Sequence, residues 1–531
     1  MTKLFVGVDV GSASVRAGIF TMDGTRLAFS VRPIQQFHYQ PNRVEQSSSD
    51  IWQQVCTTVR EAISLAGVKP QQVASIGFDA TCSLVAVGDR GQPVAVGEEG
   101  DADHDIVMWM DHRAGVETQR INETNDSALQ YVGGQVSIEM ELPKILWLKQ
   151  HYPERYTSTW RFFDLADYLV WRATGVDAAG ICTLTCKWNY LAHEERFSRS
   201  LLESIELTDL VNKIPPQIIQ IGEPVGALRS DAAAQLGLTS NVIVASGLID
   251  AHAGGLALVA TAPEANLALI SGTSNCHMIV SQEAKSVPGV WGPYFAAMYP
   301  GWWLNEGGQS AAGALVDWTL MQSDAWPALK NEAAVLGCSV YQILNQWVAE
   351  LEQTEQYPTR HLHILADHHG NRSPRSDSNA KGMIAGLTLE KGQQALARLY
   401  LATLQAIAYG TRHIIDTMEQ HGQRIDSITL CGGASKNPLW LREYANATGR
   451  AIHLVEEEDA VTLGAALNGA VACKIFDSFS SAARAMVRLD KTIEADQTHR
   501  AFHDAKYQVY LQMYQDQQRY QAVMQQNLVA L

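Results

Sequence analysis

A continuous apolar run that breaks into a turn of very small residues occurs twice in this chain, and no other feature limits its fold so strongly. Residues 4–8 run into Gly11-Ser12-Ala13, and residues 267–270 run into Gly272-Thr273-Ser274, about half of the 531-residue chain further on. An unbroken apolar run of this length reads as a strand buried on both faces. After the first turn, residues 15–20 read as a second strand ending at Asp23-Gly24, and residues 26–31 as a third. This is an antiparallel meander, not the strand–turn–helix opening of a dinucleotide-binding unit. Its return at half-chain distance predicts a duplicated α/β unit. Two domains follow, residues 1–262 and 263–531, divided near Pro263. The length suits two large domains.

The remaining elements follow from local signals. Ile51, Trp52, Val55, Val59 and Ile63 recur at helical spacing after Ser49-Asp50, and Gly67 ends the pattern. Residues 73–78 form a strand that runs into Asp79 and then Thr81-Cys82-Ser83. Residues 84–87 and 93–96 flank a turn and predict a hairpin. Residues 241–245 predict a strand with Gly247 and Asp250 just beyond it. In the second half, residues 393–420 predict a long amphipathic helix, and residues 427–431 a strand leading to Gly432-Gly433. Asn437-Pro438 predicts a capped helix start. Residues 460–473 form a helix crowded with Gly464, Ala465, Ala466, Gly469 and Ala470, suited to close backbone approach. Tyr507, Leu511 and Tyr514 predict a docked terminal helix.

The chemistry sits at the strand ends. A turn of small residues exposes several N–H groups in one place, which suits phosphate oxygens. Asp9, at the end of the first strand, can hold Mg²⁺ through water, and Arg16 can face phosphate. Taken alone, Asp9 to Arg16 reads first as an ordinary β-turn with a solvated arginine. Three such turns in order narrow the choice. Lys+Arg number 40 against Asp+Glu 56, a net charge of −16. That balance argues against a general nucleic-acid binder or a partner on an anionic membrane, but not against a phosphate held by backbone amides. No uncharged apolar run approaches the ~20 residues that span a bilayer. Residues 4–8 are too short for a signal-peptide core. Eight cysteines without a CxxC spacing predict reduced thiols and a cytoplasmic protein. The acid run at residues 456–459 reads as a solvated, dipole-favoured helix start. His361, His363, His368 and His369 lack a zinc-like partner spacing.

The set of turns resembles the actin–hexokinase–Hsp70 ATPase superfamily and, within it, the FGGY carbohydrate kinases, over essentially the whole chain. Gly11, Ser12, Ser14 and Arg16 are similar to the first phosphate loop, and Gly272 and Thr273 to the second. Gly432, Gly433, Ala434 and Asn437 are similar to the adenosine loop, and the segment from Val461 to Ala470 to a connecting hinge helix. Pro143-Lys144-Ile145-Leu146-Trp147-Leu148 is similar to the first family motif, with Glu141 where that motif prefers Pro, Ser or Thr. Gly382-Met383-Ile384-Ala385-Gly386-Leu387 is similar to the start of the second motif, whose later half departs at Arg398.

The resemblance implies two actin-like, ribonuclease H-like domains with five-stranded mixed sheets flanked by helices. ATP and Mg²⁺ would lie in the cleft between them, with Asp9 toward the metal and Gly313 and Asp317 near the nucleotide. Asp250 would be the catalytic base, although its position also reads as a helix N-cap. Thr81, Cys82, Ser83, Trp109, Asp111, Arg113, Lys187 and Glu306 would contact the sugar together with Asp250. The string TCSLV is similar to the D-ribulokinase-type branch, so D-ribulose is the expected substrate, with L-ribulose or xylulose as alternatives. The same scaffold also serves non-catalytic ATP- and sugar-binding regulators. A homodimer stays open.

Overall fold

The computed structural model describes residues 3–97 and 102–528. Met1, Thr2 and residues 529–531, at the ends of the expected domains, lie outside the described residues. Two seven-stranded mixed sheets organise the chain. In the first, Leu4–Val10 pairs antiparallel with Ser14–Thr21, which pairs antiparallel with Arg26–Pro33. On its other side Leu4–Val10 pairs parallel with Val73–Ala80, which pairs parallel with Ile243–Ala245. The second sheet repeats the plan. Asn266–Ser271 pairs antiparallel with Asn275–Ser281, which pairs antiparallel with Trp303–Gln309. It also pairs parallel with Ser427–Cys431, which pairs parallel with Ala451–Val455. The expected five strands are therefore present in each half. Each sheet gains antiparallel edges, such as Pro224–Ala227 in the first and Leu489–Ile493 in the second.

Every residue of Leu4–Val10 is buried, as a strand covered on both faces requires. One cover is Ser48–Ala66, whose buried face includes Ile51, Trp52, Val55, Val59 and Ile63. A side chain of this kind contributes about 1.5–3 kcal/mol when fully buried. The cap of this helix is Ser47 rather than Ser49: its Oγ accepts the Asp50 N–H at 3.3 Å, and Gly67 closes the helix at φ +62°. The 84–87/93–96 hairpin forms only as a short ladder: Gly88 N–H donates to Gln92 O at 2.8 Å, Val94 N–H donates to Ala86 O at 3.0 Å, and Val87 bridges Pro93. Leu84–Gly88 pairs more extensively with Ile106–Val107 and Thr159–Asp164 in a separate five-stranded sheet.

The terminal helix Arg500–Leu528 docks through Tyr507, Tyr510 and Met513, with Leu511 and Tyr514 half-buried. Its apolar face is therefore turned slightly from the one the sequence predicts. No helix among the described residues is long and apolar enough to cross a membrane.

One element joins the halves. The helix Ala460–Ala472 packs on Leu4–Val10 and Val73–Ala80 of the first sheet and crosses Asp250–Val259. Its small residues make this possible. A Cβ on Gly464 would overlap the Ala253 carbonyl, and one on Gly7 would overlap the Thr462 carbonyl. Asn468 fixes the register: its Nδ2 donates to Ser246 O at 2.7 Å and its Oδ1 accepts the Gly222 N–H at 2.8 Å.

Candidate active site

The two small-residue turns share one construction. Gly11 N–H donates to Ser14 O at 3.0 Å, and Gly272 N–H donates to Ser274 O at 2.9 Å. Each turn folds back on its own strand pair, so its next amides point outward. Among the described residues no acceptor faces the N–H groups of Ser12, Ala13, Thr273 or Ser274. Concave groups of free amides bind anions. Gly313 supports the second turn from below. Its N–H donates to Gly272 O at 3.0 Å, and Ala312 and Ala314 donate to Thr273 O at 2.9 and 3.2 Å. The turn carbonyls thus cap the helix Gly313–Met321 and leave the turn amides free. Gly432, at φ +95°, ends the neighbouring strand and lies against Ser271 O, where any Cβ would collide. Gly433 is exposed beside it.

Acidic groups converge beneath the first turn. Asp9 and Asp79 are register neighbours on parallel strands and are fully buried. Burial raises both carboxyls above the ordinary range. Arg16 opposes the shift at each, while repulsion from Asp9 and a hydrogen bond shared with it add to the shift at Asp79. Arg16 pairs with Asp9 and, at 2.8 Å, with Asp459. Asp459 in turn caps Ala460–Ala472 by accepting the Thr462 N–H at 3.0 Å. This residue is therefore not part of a merely solvated acid run: it ties the hinge helix to the first turn. Apart from the Arg16 pair and each other, the carboxyls of Asp9 and Asp79 have no side-chain or backbone partner among the described residues. Buried oxygen donors with so few protein partners fit Mg²⁺, which takes one or two carboxylates and completes its shell with water and phosphate. A cage of protein ligands is not present: no cluster of three or more His, Cys, Asp or Glu among the described residues is arranged to hold a metal.

Asp250 opens the helix Asp250–Val259 directly after the short strand Leu248–Ile249. The helix cap is Ile249, so Asp250 is not the N-cap residue. Its Oδ1 accepts the Ala251 N–H at 2.7 Å. Burial raises its carboxyl, outweighing the pull of that N–H, Arg16 and Lys187.

Lys187 ends the helix Ile181–Lys187. Its Nζ lies 4.8 Å from the Trp291 ring centroid and makes no hydrogen bond or ion pair among the described residues. Burial works against its charge, but Cys82, Glu306 and other neighbours hold its pKa well above the usual range. Glu306 faces it from the second sheet. There burial is outweighed by His252 and Lys187, and the carboxyl is held below the usual range. Cys82 is pushed up by burial to about 12 and stays a thiol. Ser83 Oγ accepts the Trp109 N–H at 3.2 Å, Thr81 Oγ1 lies 3.5 Å from it, and Trp109 Nε1–H donates to Ser12 Oγ at 2.8 Å. The loop at residues 81–83 is thereby fastened to the first turn.

Several expected contacts lie elsewhere. Arg113 donates from Nε to Asp111 Oδ1 and from Nη2 to Asp111 Oδ2 and Glu45 Oε1, all within 2.7–2.8 Å, and from Nη1 to Val96 O at 3.2 Å. Asp111 Oδ2 also accepts the Val44 N–H at 2.7 Å. This buried pair closes a loop, and its polar groups are already engaged. Arg113→Lys is expected to cost about 2 kcal/mol, because the charge survives but the fork is lost. A lowered Tm in calorimetry is the expected result. Asn437 caps Pro438–Thr448 through Trp440 N–H at 3.3 Å and bonds Tyr400 and Asn345. Ala434 is buried, and Asp317 is exposed and accepts the Tyr341 hydroxyl at 2.8 Å.

Other residues joined the site without a sequence signal strong enough to select them. Glu141 and Lys144 form a buried pair at 3.6 Å beneath the cleft. Arg372 reaches Glu139 of the first half at 3.5 Å and stacks 5.3 Å from Trp291. Asp79 was detectable only as an acid closing an apolar strand. A cavity of about 730 Å³ in the second half, lined by Asp324, Glu355, Arg360, Lys391 and Arg398, has a different character. Its Arg398 is neutralised by Glu355 and Glu390, and it lies apart from the free turn amides.

Comparison with known proteins bears on the whole chain. Residues 4–257 match the N-terminal domain of the FGGY family of carbohydrate kinases, and residues 267–473 match its C-terminal domain. A human FGGY carbohydrate kinase domain-containing protein is 43% identical, over 98% of this chain and 98% of its own. A D-ribulokinase of Saccharomyces cerevisiae is 37% identical, over 90% of this chain and 72% of its own. Among solved structures, the xylulose kinase from Rhodospirillum rubrum superimposes with a TM-score of 0.82 at 21% identity, over 98% of this chain and 99% of that one.

Proposed function

This chain belongs to the FGGY family of carbohydrate kinases and so is an ATP-dependent sugar phosphotransferase, and we propose that its acceptor is a terminal hydroxyl of an open-chain ketopentose, D-ribulose before L-ribulose or xylulose. The observation that carries the reading is a buried Lys187 ammonium that no protein group pairs among the described residues, with the Glu306 carboxylate and Asp250 within its electrostatic reach. A buried free ammonium and an ionised carboxylate can hold neighbouring hydroxyls as donor and acceptor, which a polyol chain offers. The likeness to the yeast D-ribulokinase supports the choice of sugar.

In this reading Asp250 takes the hydroxyl proton, the freed oxygen bonds to the γ-phosphorus, and the bond to the bridging oxygen breaks to release ADP. The free amides at Ser12, Ala13, Thr273 and Ser274 bind phosphate oxygens, with Arg16 beside them, and Gly432 and Gly433 flank the adenosine. Asp9, with Asp79 behind it, would hold Mg²⁺, which when bound neutralises phosphate charge. Thr81, Cys82, Ser83 and Trp109 wall the sugar. Asp111 and Arg113 brace the segment that carries Trp109, while Gly313 supports the second turn and Asn437 caps the helix behind Gly432 and Gly433. The boundary between the domains falls near Pro263. A cytoplasmic protein acting on small molecules, without nucleic acid or membrane, fits this chemistry.

The test is sugar-dependent ADP release across a panel of ketopentoses and polyols. D-ribulose is expected to give the highest kcat/KM. An equal or better value for xylulose or L-ribulose would replace it as the substrate.

A further inference from the structure

His252 lies two residues beyond Asp250 on the same helix, fully buried, and its ring joins the two halves of the molecule. Nε2 is 3.1 Å from Glu306 Oε2 on the second sheet. Nδ1 is 3.3 Å from Cys182 Sγ and 3.8 Å from Cys186 Sγ, one turn apart on the helix that ends in Lys187. Cys182 Sγ also accepts the Ile249 N–H at 3.4 Å. Neither this ring nor these thiols has a part in the phosphoryl transfer derived above.

The neighbouring donors and acceptors favour one placement of the protons. Glu306, as a carboxylate, only accepts, so Nε2 must carry hydrogen. Cys182 already accepts at sulfur, and burial keeps both thiols protonated. A protonated thiol whose sulfur already accepts one N–H has its S–H left to give, which favours Nδ1 as the acceptor. The chain runs from Ile249 N–H to Cys182 sulfur, from Cys182 S–H to His252 Nδ1, and from His252 Nε2–H to Glu306. Glu306 Oε1 has no partner among the described residues and is left for the sugar.

We infer that His252 is a positioning residue for sugar binding: Cys182 selects its neutral Nε2–H tautomer, and the ring orients Glu306 toward the substrate. This rests on the reading of Glu306 as a sugar contact. It also links two ligands of one substrate, because the helix that carries Cys182 ends in Lys187, and the helix that carries His252 begins with Asp250. A residue that only filled space would not care which nitrogen bears hydrogen.

The test compares His252→Ala, His252→Gln, Cys182→Ala and Glu306→Ala in the full-length enzyme, with the best sugar of the panel. His252→Ala is expected to raise the sugar KM about 10- to 100-fold, the effect of losing a hydrogen bond to a charged group, with the ATP KM unchanged. His252→Gln should recover most of that loss, because its amide nitrogen can reach where Nε2 stood. The ¹⁵N spectrum of histidine-labelled enzyme, with the His252 signal assigned by its absence in His252→Gln, should report the neutral Nε2–H form, and Cys182→Ala should disturb it. A His252→Ala sugar KM within about twofold of wild type, alongside a raised KM in Glu306→Ala, overturns the positioning role while the sugar site stands. An unchanged KM in Glu306→Ala overturns the sugar contact itself, and the positioning role with it. If His252→Ala does not fold, the wild-type spectrum decides: an Nδ1–H or doubly protonated ring overturns the inference.

Discussion

Asp250→Asn is expected to lower kcat for sugar phosphorylation about 10²–10⁴-fold, the usual contribution of a positioned general base, with little change in the sugar's Kd. Asparagine keeps the shape of the side chain, and its oxygen can still accept the Ala251 N–H that holds Oδ1 at 2.7 Å. What it loses is the ability to take a proton as the hydroxyl attacks phosphorus. The pH profile gives an independent check. Burial raises the Asp250 carboxyl, and the base works only when ionised. Activity should therefore fall as pH drops through this raised pKa, so the acid limb of kcat lies above the range of an exposed aspartate. In Asp250→Asn that limb should vanish from the residual rate. A folded Asp250→Asn enzyme with near-wild-type kcat would remove Asp250 from this role.

The elements that local pattern specifies were readable in advance, and those that depend on distant pairing were not. Both small-residue turns and the strands around them follow from neighbours in sequence: an apolar run and a break are enough. The same holds for the helix Gly392–Gln420 and the strand Ser427–Cys431. The hairpin expected at residues 84–96 is only a short ladder, and the longer pairing of Leu84–Gly88 is with Thr159–Asp164, over seventy positions away. Side-chain roles divide in the same manner. Asp9 is visible as an acid at a strand end, but its neighbour Asp79 becomes so only through the parallel register of two strands separated by a helix. The segment holding Trp109, Asp111 and Arg113 looked uniform in sequence. In the fold, Trp109 faces the first turn, whereas Asp111 and Arg113 are committed to Glu45 and backbone groups. Residue type announces that a group can bind a ligand; only three-dimensional pairing determines whether another protein group has already taken it.

Gly464→Ala should reduce both stability and kcat although it touches no ligand. The added Cβ would project into the Ala253 carbonyl, part of a helix backbone that cannot rotate away. Alanine favours helix over glycine by about 0.8–1.0 kcal/mol, while overpacking of a close contact costs about 1–3 kcal/mol. The steric cost is expected to prevail because the opposing atom is backbone, giving a lower Tm in calorimetry. The larger effect is on the reaction. Ala253 lies less than one helical turn beyond Asp250, so separating the two helices moves the base. A displacement near 1 Å at a reacting group can cost about 10²-fold in rate, and a kcat loss of that order is expected, exceeding any change in ATP KM. Gly469→Ala is the internal control. Its Cβ would meet chiefly the Ser75 hydroxyl, at 2.8 Å, a side chain that can turn aside, so its losses should be smaller in both measurements. If Gly464→Ala kept wild-type Tm and kcat, the crossing of these helices could not be what fixes the base. If both glycine variants lost activity equally, the determinant would be the flexibility of the hinge helix rather than its contact with Ala253.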